Sequence, residues 1–418
     1  MLGGILRLIN QDRLWRRIEA LSEVGKQETG GVTRLTFSKE ERIAKDLVAK
    51  WMKEAGLRVW EDAVGNLIGR KEGRDRNAAV VLTGSHLDSV YNGGNFDGPL
   101  GVLSSLEAVQ TLNETGIETE RPIEVIAFTD EEGARFRFGM TGSRGLAGML
   151  TRAELEARDS EGMTIAQAML SVGFNPENIS EAARASKSVY AYVEVHIEQG
   201  RILERANLPV GVVTGIAGPL WLKFTITGQA GHAGTTPMAL RHDALVGTAL
   251  VVQVIEEESK REERTVGTVG QLSVIPGGVN IIPGRVEFTL DLRDVDIDIR
   301  KGVEQKIRER ALQICRDRGL LLDVEILQDI EPVYCSNEIQ NAVRTACNAI
   351  GIDTIDIVSG AGHDGMQLQD LCPIGMIFVR SKDGISHHPD EWSSKEDCGV
   401  GAEVLYHTLL ALAGNSFF

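Results

Sequence analysis

The chain has 418 residues, 42% of them hydrophobic and 25% charged, with a formal net charge of −16. That length is more than one ordinary core accommodates, so two domains are expected in a soluble globular protein. Acidic residues outnumber basic ones by 60 to 44 without any basic cluster, which argues against a nucleic-acid partner, since phosphate binding needs concentrated Lys and Arg.

At the N-terminus a short apolar stretch is broken by Arg7 and lacks a basic start. It is expected to be neither a signal peptide nor a membrane span, so a cytoplasmic location is expected. The first clear helix is predicted over 39–55, where Ser38 and Glu41 form a capping box and Gly56 supplies the stop. Strands are predicted over 57–60, 66–70 and 78–82, then a helix opened by Pro99 and a buried strand over 123–128. This alternation implies an α/β layer architecture. Helices with polar connectors over 152–188 and a strand over 190–195 complete the first part.

The character then changes. A strand over 221–227, a helix over 241–263, strands over 268–275 and 285–292, a helix over 299–318 and a strand over 320–326 follow. This βαββαβ order has the ferredoxin-like form. Residues 213–329 are therefore expected to be an inserted domain, and residues 1–212 with 330–418 a mixed-sheet α/β catalytic domain. The latter resumes with a helix over 337–351, strands over 354–358 and 375–379, and a helix over 395–413. The five cysteines all lie in the last quarter with no Cys-x-x-Cys spacing. Free, mostly buried thiols in a reducing cytosol are the expectation.

Three acids in a row, Asp130, Glu131 and Glu132, follow the strand over 123–128. Adjacent carboxylates there repel and must stay hydrated, so stability does not account for them. His86 closes another strand and His196 a third, while His363, Asp364 and His387 follow the last two. Ligands in open α/β sheets collect outside the carboxyl ends of strands. His, Asp and Glu converging there form a metal-site composition, with a spare carboxylate suited to act as base on water. Asp88, two residues after His86, has the spacing of a carboxylate that fixes a histidine tautomer, or of a strand-end cap.

Several runs resemble the carbamoylase and allantoate-hydrolase branch of the dinuclear zinc aminoacylase/carboxypeptidase superfamily. They are Gly84-Ser85-His86-Leu87-Asp88-Ser89-Val90, Asn95-Phe96-Asp97-Gly98-Pro99-Leu100-Gly101 and Asp130-Glu131-Glu132-Gly133-Ala134-Arg135-Phe136. His196-Ile197-Glu198-Gln199-Gly200, the run from Gly231 to Met238, and Asp291-Leu292-Arg293-Asp294 extend the resemblance along nearly the whole chain. Within the branch the chain looks most like bacterial N-carbamoyl-L-amino-acid hydrolases.

The resemblance implies two divalent cations (Zn, Mn, Co or Ni) bridged by Asp97, with His86 and His196 on one and Glu132 and His387 on the other. His388 directly follows His387 where the family usually has a small or amide residue; His387 is preferred because it aligns with the motif. Glu131 would be the base. The inserted domain would mediate homodimerisation and reach the partner's site, with His232 stabilising developing charge and Asn280 and Arg293 holding a substrate carboxylate. Arg293 could instead close a strand through a surface ion pair with Asp291 or Asp294. Gln199 would meet the ureido group. The expected reaction is hydrolysis of an N-carbamoyl-L-amino acid, a small-molecule substrate. Allantoate hydrolysis, a di-metal peptidase and a binding protein that has lost catalysis are the alternatives.

Overall fold

The computed structural model describes residues 8–414; the expectation for the first seven residues lies outside them. The chain forms two compact units. One runs up to Thr214 and takes in Cys335–Ile357 and the chain from His363 onward; the other comprises Gly215–Tyr334 and Val358–Gly362. No helix among the described residues is long and apolar enough to cross a membrane.

In chain order the strands are β1 Arg58–Glu61, β2 Leu67–Lys71, β3 Val80–His86, β4 Ile123–Phe128, β5 Val189–Ile197 and β6 Val210–Ile216. Next come β7 Gly218–Thr227, β8 Gly231–His232, β9 Val266–Ile275, β10 Ile281–Ile282, β11 Arg285–Asp294, β12 Leu321–Asp329 and β13 Val333–Tyr334. The last are β14 Asp356–Ser359 and β15 Ile374–Val379.

The larger unit is a mixed sheet in the order β1-β2-β4-β3-β5-β15-β6, with β14 also paired to β6. Its centre, β4-β3-β5-β15, is parallel, and the pairings outside it are antiparallel from β4 to β2, β2 to β1 and β15 to β6. β3, β4 and β15 are buried at every residue, as parallel strands covered on both faces must be. The helix Pro99–Glu114 is buried along most of its length, because it packs between β3 and the helix Lys395–Leu412.

The smaller unit has the βαββαβ order, with the helices Ala244–Ser259 and Ile297–Asp317 between strands and a sheet ordered β12-β7-β11-β9. All its pairings are antiparallel, the ferredoxin-like arrangement. Alternate residues of β7 and β11, among them Leu222, Phe224, Leu290 and Leu292, build its core. The fold is thus the expected α/β class.

Several elements escaped the sequence reading, among them the strand β6 and a helix near the N-terminus. That helix, Gln11–Ser22, capped by Asn10, buries Leu14, Ile18, Leu21 and also Arg17. The predicted helix over 241–263 is shorter, Ala244–Ser259, because the Asp243 carboxylate accepts from the Leu245 and Val246 N–H groups and sets its start.

One buried ion pair ties helix to sheet close to the acidic run. Lys45 and Glu41, both on the helix Lys39–Glu54, are 2.8 Å apart and buried. Lys45 Nζ also donates to the Gly65 carbonyl at 2.9 Å and to Thr129 Oγ1 at 3.0 Å. Thr129 immediately precedes the acidic run. Lys45→Met leaves Glu41 buried without its counter-charge and is expected to cost about 3–5 kcal/mol. Thermal and denaturant unfolding check this, and adding Glu41→Gln should recover most of the loss; a single variant as stable as the parent refutes it.

Candidate metal centre

Four parallel strands end at one edge, and the chemistry collects there. His86 is the last residue of β3 and His196 the penultimate residue of β5. Thr83 pairs with Val193, and continuing that parallel register sets His86 level with His196 on one face. Their ring centroids are 6.0 Å apart. β4 leads into the acidic run, where Asp130 takes a φ of 60° and turns the chain sharply.

Asp97 stands just before Gly98, the N-cap of the helix Pro99–Glu114. One of its oxygens, Oδ1, lies 3.1 Å from His196 Nε2 and 3.6 Å from His86 Nε2. The other, Oδ2, lies 3.2 Å from His387 Nε2, which is in turn 3.5 Å from Glu132 Oε2. Two groups that could each hold a cation therefore share Asp97: His86–Asp97–His196 and Asp97–Glu132–His387. Glu131 belongs to neither, with Oε2 3.8 Å from His86 Nε2. Gly98 is obligatory, since a Cβ there would meet the His86 ring at 2.4 Å.

The residues fit a cation. His86 Nε2 is buried without a hydrogen-bond partner. Its Nδ1 faces the Asp88 carbonyl at 3.1 Å, and His196 Nδ1 faces the Ile197 carbonyl at 2.9 Å. Protons held at Nδ1 leave the Nε2 lone pairs free for ligation. The Asp88 carboxylate that the spacing singled out lies near the same nitrogen, its Oδ1 3.7 Å from His86 Nδ1. That carboxylate also accepts from the N–H groups of Glu131 and Glu132, at 3.2 Å each, and orients the two neighbouring acids.

His388 points elsewhere, its Nδ1 accepting from the Asp390 N–H at 3.1 Å. Gln199, at a φ of 55°, donates from Nε2 to Asp97 Oδ2 at 2.7 Å and to Ser386 Oγ at 3.1 Å. His363 stacks edge-on against His196, with centroids 4.5 Å apart. Burial and the nearby His196 hold it well below the usual histidine range, so it stays neutral. Asp364 accepts from Ser143 Oγ at 2.5 Å. A third grouping, Glu194–His196–His363, also includes His196. Its Glu194 carboxylate is already bonded by Ser85 Oγ at 2.6 Å and the Tyr192 hydroxyl at 3.0 Å.

Two residues that the sequence reading passed over belong here. Glu391 Oε1 accepts from the N–H groups of Phe96 at 2.9 Å and Asp97 at 3.0 Å. Ser386 Oγ lies 2.9 Å from both Asp97 Oδ2 and Glu391 Oε2. Neither residue type signals such a role on its own.

His232, Asn280 and Arg293 lie in the smaller unit. His232 is exposed and pairs with Ile281 across β8 and β10. The Gly234 N–H donates to its Nδ1 at 3.0 Å, which leaves the proton of the neutral ring on Nε2 as a donor. The carbonyl of Asn280, an exposed residue, accepts from the Ala233 N–H at 2.9 Å. Arg293 pairs with Asp291 at 2.8 Å and donates Nη1–H to the Gly360 carbonyl at 2.6 Å. The surface pair weighed from the sequence therefore exists, with Asp291. Arg293 and Asp291, with Trp221 and Thr268, line an open cavity of about 620 Å³; His232 and Asn280 do not.

Without a cation the centre neutralises itself with protons. Burial raises Glu131 well above the carboxylate range; His86 pulls it back, while Asp364, Glu132 and Asp97 push it further up. Burial and Asp97 lift Glu132 to about 7. The hydrogen bond to Asp97 is the main cause lifting His387 to about 9, and Glu132 adds to it. Carboxylates this crowded and this dry need positive charge, which divalent cations supply.

Fold and donor set together define a metal-dependent α/β hydrolase. The chain belongs to peptidase family M20/M25/M40, whose model matches residues 82–411. It is 60% identical to an N-carbamoyl-L-amino acid amidohydrolase of Geobacillus stearothermophilus, covering 97% of this chain and 99% of that protein. Identity to allantoate deiminase 1 of Glycine max is 37%, covering 90% of this chain and 84% of the relative. A crystal structure of a hydantoinase/carbamoylase family amidase from Burkholderia multivorans superposes with a TM-score of 0.93 at 39% identity, covering 97% and 98% of the two chains.

A cation bound here would have to displace protons. Without a cation His387 keeps its proton up to a pH of about 9, and it could ligate only when neutral. Apparent metal affinity should therefore rise with pH, by up to ~10-fold per unit for one displaced proton, and level off above about pH 9. Zn²⁺ titration of the chelator-stripped protein in weak buffer, following proton release, checks this; a pH-independent affinity would remove His387 from the ligand set.

Proposed function

We propose that the protein hydrolyses N-carbamoyl-L-amino acids to the L-amino acid, ammonia and carbon dioxide, with two divalent cations held around Asp97. The observation that carries the reading is the membership of Asp97 in both triads beside an unligated Glu131. The 60% identity to an N-carbamoyl-L-amino acid amidohydrolase supports the substrate class, against 37% for allantoate deiminases. One water is consumed overall.

His86 and His196 with Asp97 would hold one cation, and Glu132 and His387 with Asp97 the other. Such cations would supply Lewis acidity for the ureido carbonyl and lower the pKa of water. Glu131 takes the water proton at its carboxylate and returns it to the departing nitrogen. Its neighbours keep it in place, since Asp88 grips the Glu131 and Glu132 N–H groups. Reaching in from the inserted domain of a second copy, His232 would offer Nε2–H to the substrate oxygen as charge develops there, a contribution of about 3 kcal/mol. Arg293 and Asn280 of that second copy would receive the substrate carboxylate, and Gln199 faces the ureido group.

The active species is read as a homodimer. The helix Ala244–Ser259 exposes Leu245, Val246 and Leu250, and β9 beside it is an edge strand of its sheet. An apolar helix face next to an open edge is a surface that a second copy can cover. All five cysteines are free and buried, in keeping with a cytoplasmic location.

A panel of carbamoyl amino acids and allantoate, assayed after reconstitution with Zn, Mn, Co or Ni, tests the substrate. Turnover of N-carbamoyl-L-amino acids is expected; ammonia release from allantoate alone would overturn the reading. In the same assay Glu131→Gln should lower kcat by on the order of 10²–10⁴-fold with metal content retained. Loss of metal in that variant would mean that Glu131 is itself a ligand.

Leu245→Glu combined with Val246→Glu places charge on the apolar face. The double variant is expected to be monomeric by light scattering, and at least about tenfold less active with its metal kept. A fully active monomer would remove partner residues from the site.

A further inference from the structure

The two halves of the centre are held by different means. His86 and His196 sit on inner strands, are almost fully buried, and have their rings tied to main-chain carbonyls. His387 is half exposed, takes a left-handed φ of 55° and rides on the loop after β15. Something must hold that loop to Asp97, because a ligand misplaced by an ångström loses most of its bond.

We propose that Glu391 is the positioning residue that locks the Asp97 loop and the His387 loop together, so that the cation shared by Asp97, Glu132 and His387 depends on it more than its neighbour does. This inference rests on the dinuclear reading above. Glu391 is 3% exposed. One carboxylate oxygen spans the Phe96 and Asp97 N–H groups, fixing the backbone from which the shared carboxylate projects. The other receives Ser386 Oγ, one residue before His387. The single hydroxyl proton of Ser386 is placed between two carboxylates, Asp97 and Glu391, so the three side chains act as one unit.

Three further contacts brace the same junction. Phe96 and Trp392, the neighbours of Asp97 and Glu391, meet edge-on with centroids 5.5 Å apart. Trp15 closes the cluster at 5.3 Å from Trp392 and 6.0 Å from Phe96. Gly94 leaves the room that Glu391 occupies, since a Cβ there would fall 2.1 Å from its carboxyl group. The carboxylate is thus seated in a slot made for it, and nothing in that slot needs to touch substrate.

The test is stepwise binding of Zn²⁺ to the chelator-stripped full chain, read by calorimetry and metal analysis. The parent protein should take up two ions; uptake of one would refute the dinuclear reading itself, and this proposal with it. Glu391→Ala should weaken the second ion by about 10–100-fold and the first by less than about threefold. Glu391→Gln keeps an oxygen for the two N–H groups and an amide for Ser386, and should restore most of the affinity. Ser386→Ala, which leaves the slot intact, should weaken the same ion by a smaller factor. Unchanged second-ion affinity in Glu391→Ala, or equal weakening of both ions that tracks a fall in Tm, would overturn the proposal. Failure of Glu391→Ala to fold shifts the decision to Ser386→Ala, where unchanged binding overturns it.

Discussion

One carboxylate organises the catalytic unit. Asp97 faces imidazoles on both sides, His86 and His196 through Oδ1 and His387 through Oδ2, so its two oxygens cannot be relaxed independently. The three imidazoles hold the Asp97 carboxyl well below the usual carboxylate range even against its burial. Much nearby follows from keeping it so. Gly98 makes room for the His86 ring, Gln199 reaches the same oxygen as His387, and Glu391 anchors the main chain on either side of the Phe96–Asp97 peptide bond. The parallel register of β3 and β5 brings the first two histidines level before any side-chain interaction is made.

Much of this was legible because strand ends announce themselves. An apolar run that stops at His86, or that gives way to three acids at Asp130, has no stability rationale, and the sheet places such ends together. The fold class followed from the same alternation, and the ferredoxin-like unit from its change of period. Elements went unread where burial contradicts residue type. The helix Gln11–Ser22 buries Arg17 within its apolar face, and charge there reads as a solvent-facing position. In β6 the apolar run is interrupted by Gly211 and Gly215, yet each glycine packs closely, against Leu203 and Val295 respectively. Close packing of a glycine leaves no mark in a sequence.

The residues around the candidate metal ligands were the hardest to read. Asp88 was recognised as a partner of His86, and its carboxylate also holds the backbone of Glu131 and Glu132. Spacing along a strand fixes where a side chain starts and not how many neighbours it serves. Ser386 and Glu391 are recruited across nearly three hundred positions of sequence, from the 386–391 segment to Asp97. Their types, a serine and one glutamate among many acids, carry no trace of that distance.

The pairing of Arg293 with Asp291 has a consequence for selectivity. In a protein this acidic, an uncovered guanidinium would attract small anions indiscriminately. Here the fork is already neutralised by a tethered carboxylate that occupies Nε and Nη2. If Arg293 receives the substrate as proposed, an incoming acid would compete with a resident that never diffuses away. Net charge would then count for little, and admission would fall to molecules whose carboxylate arrives with other groups already anchored.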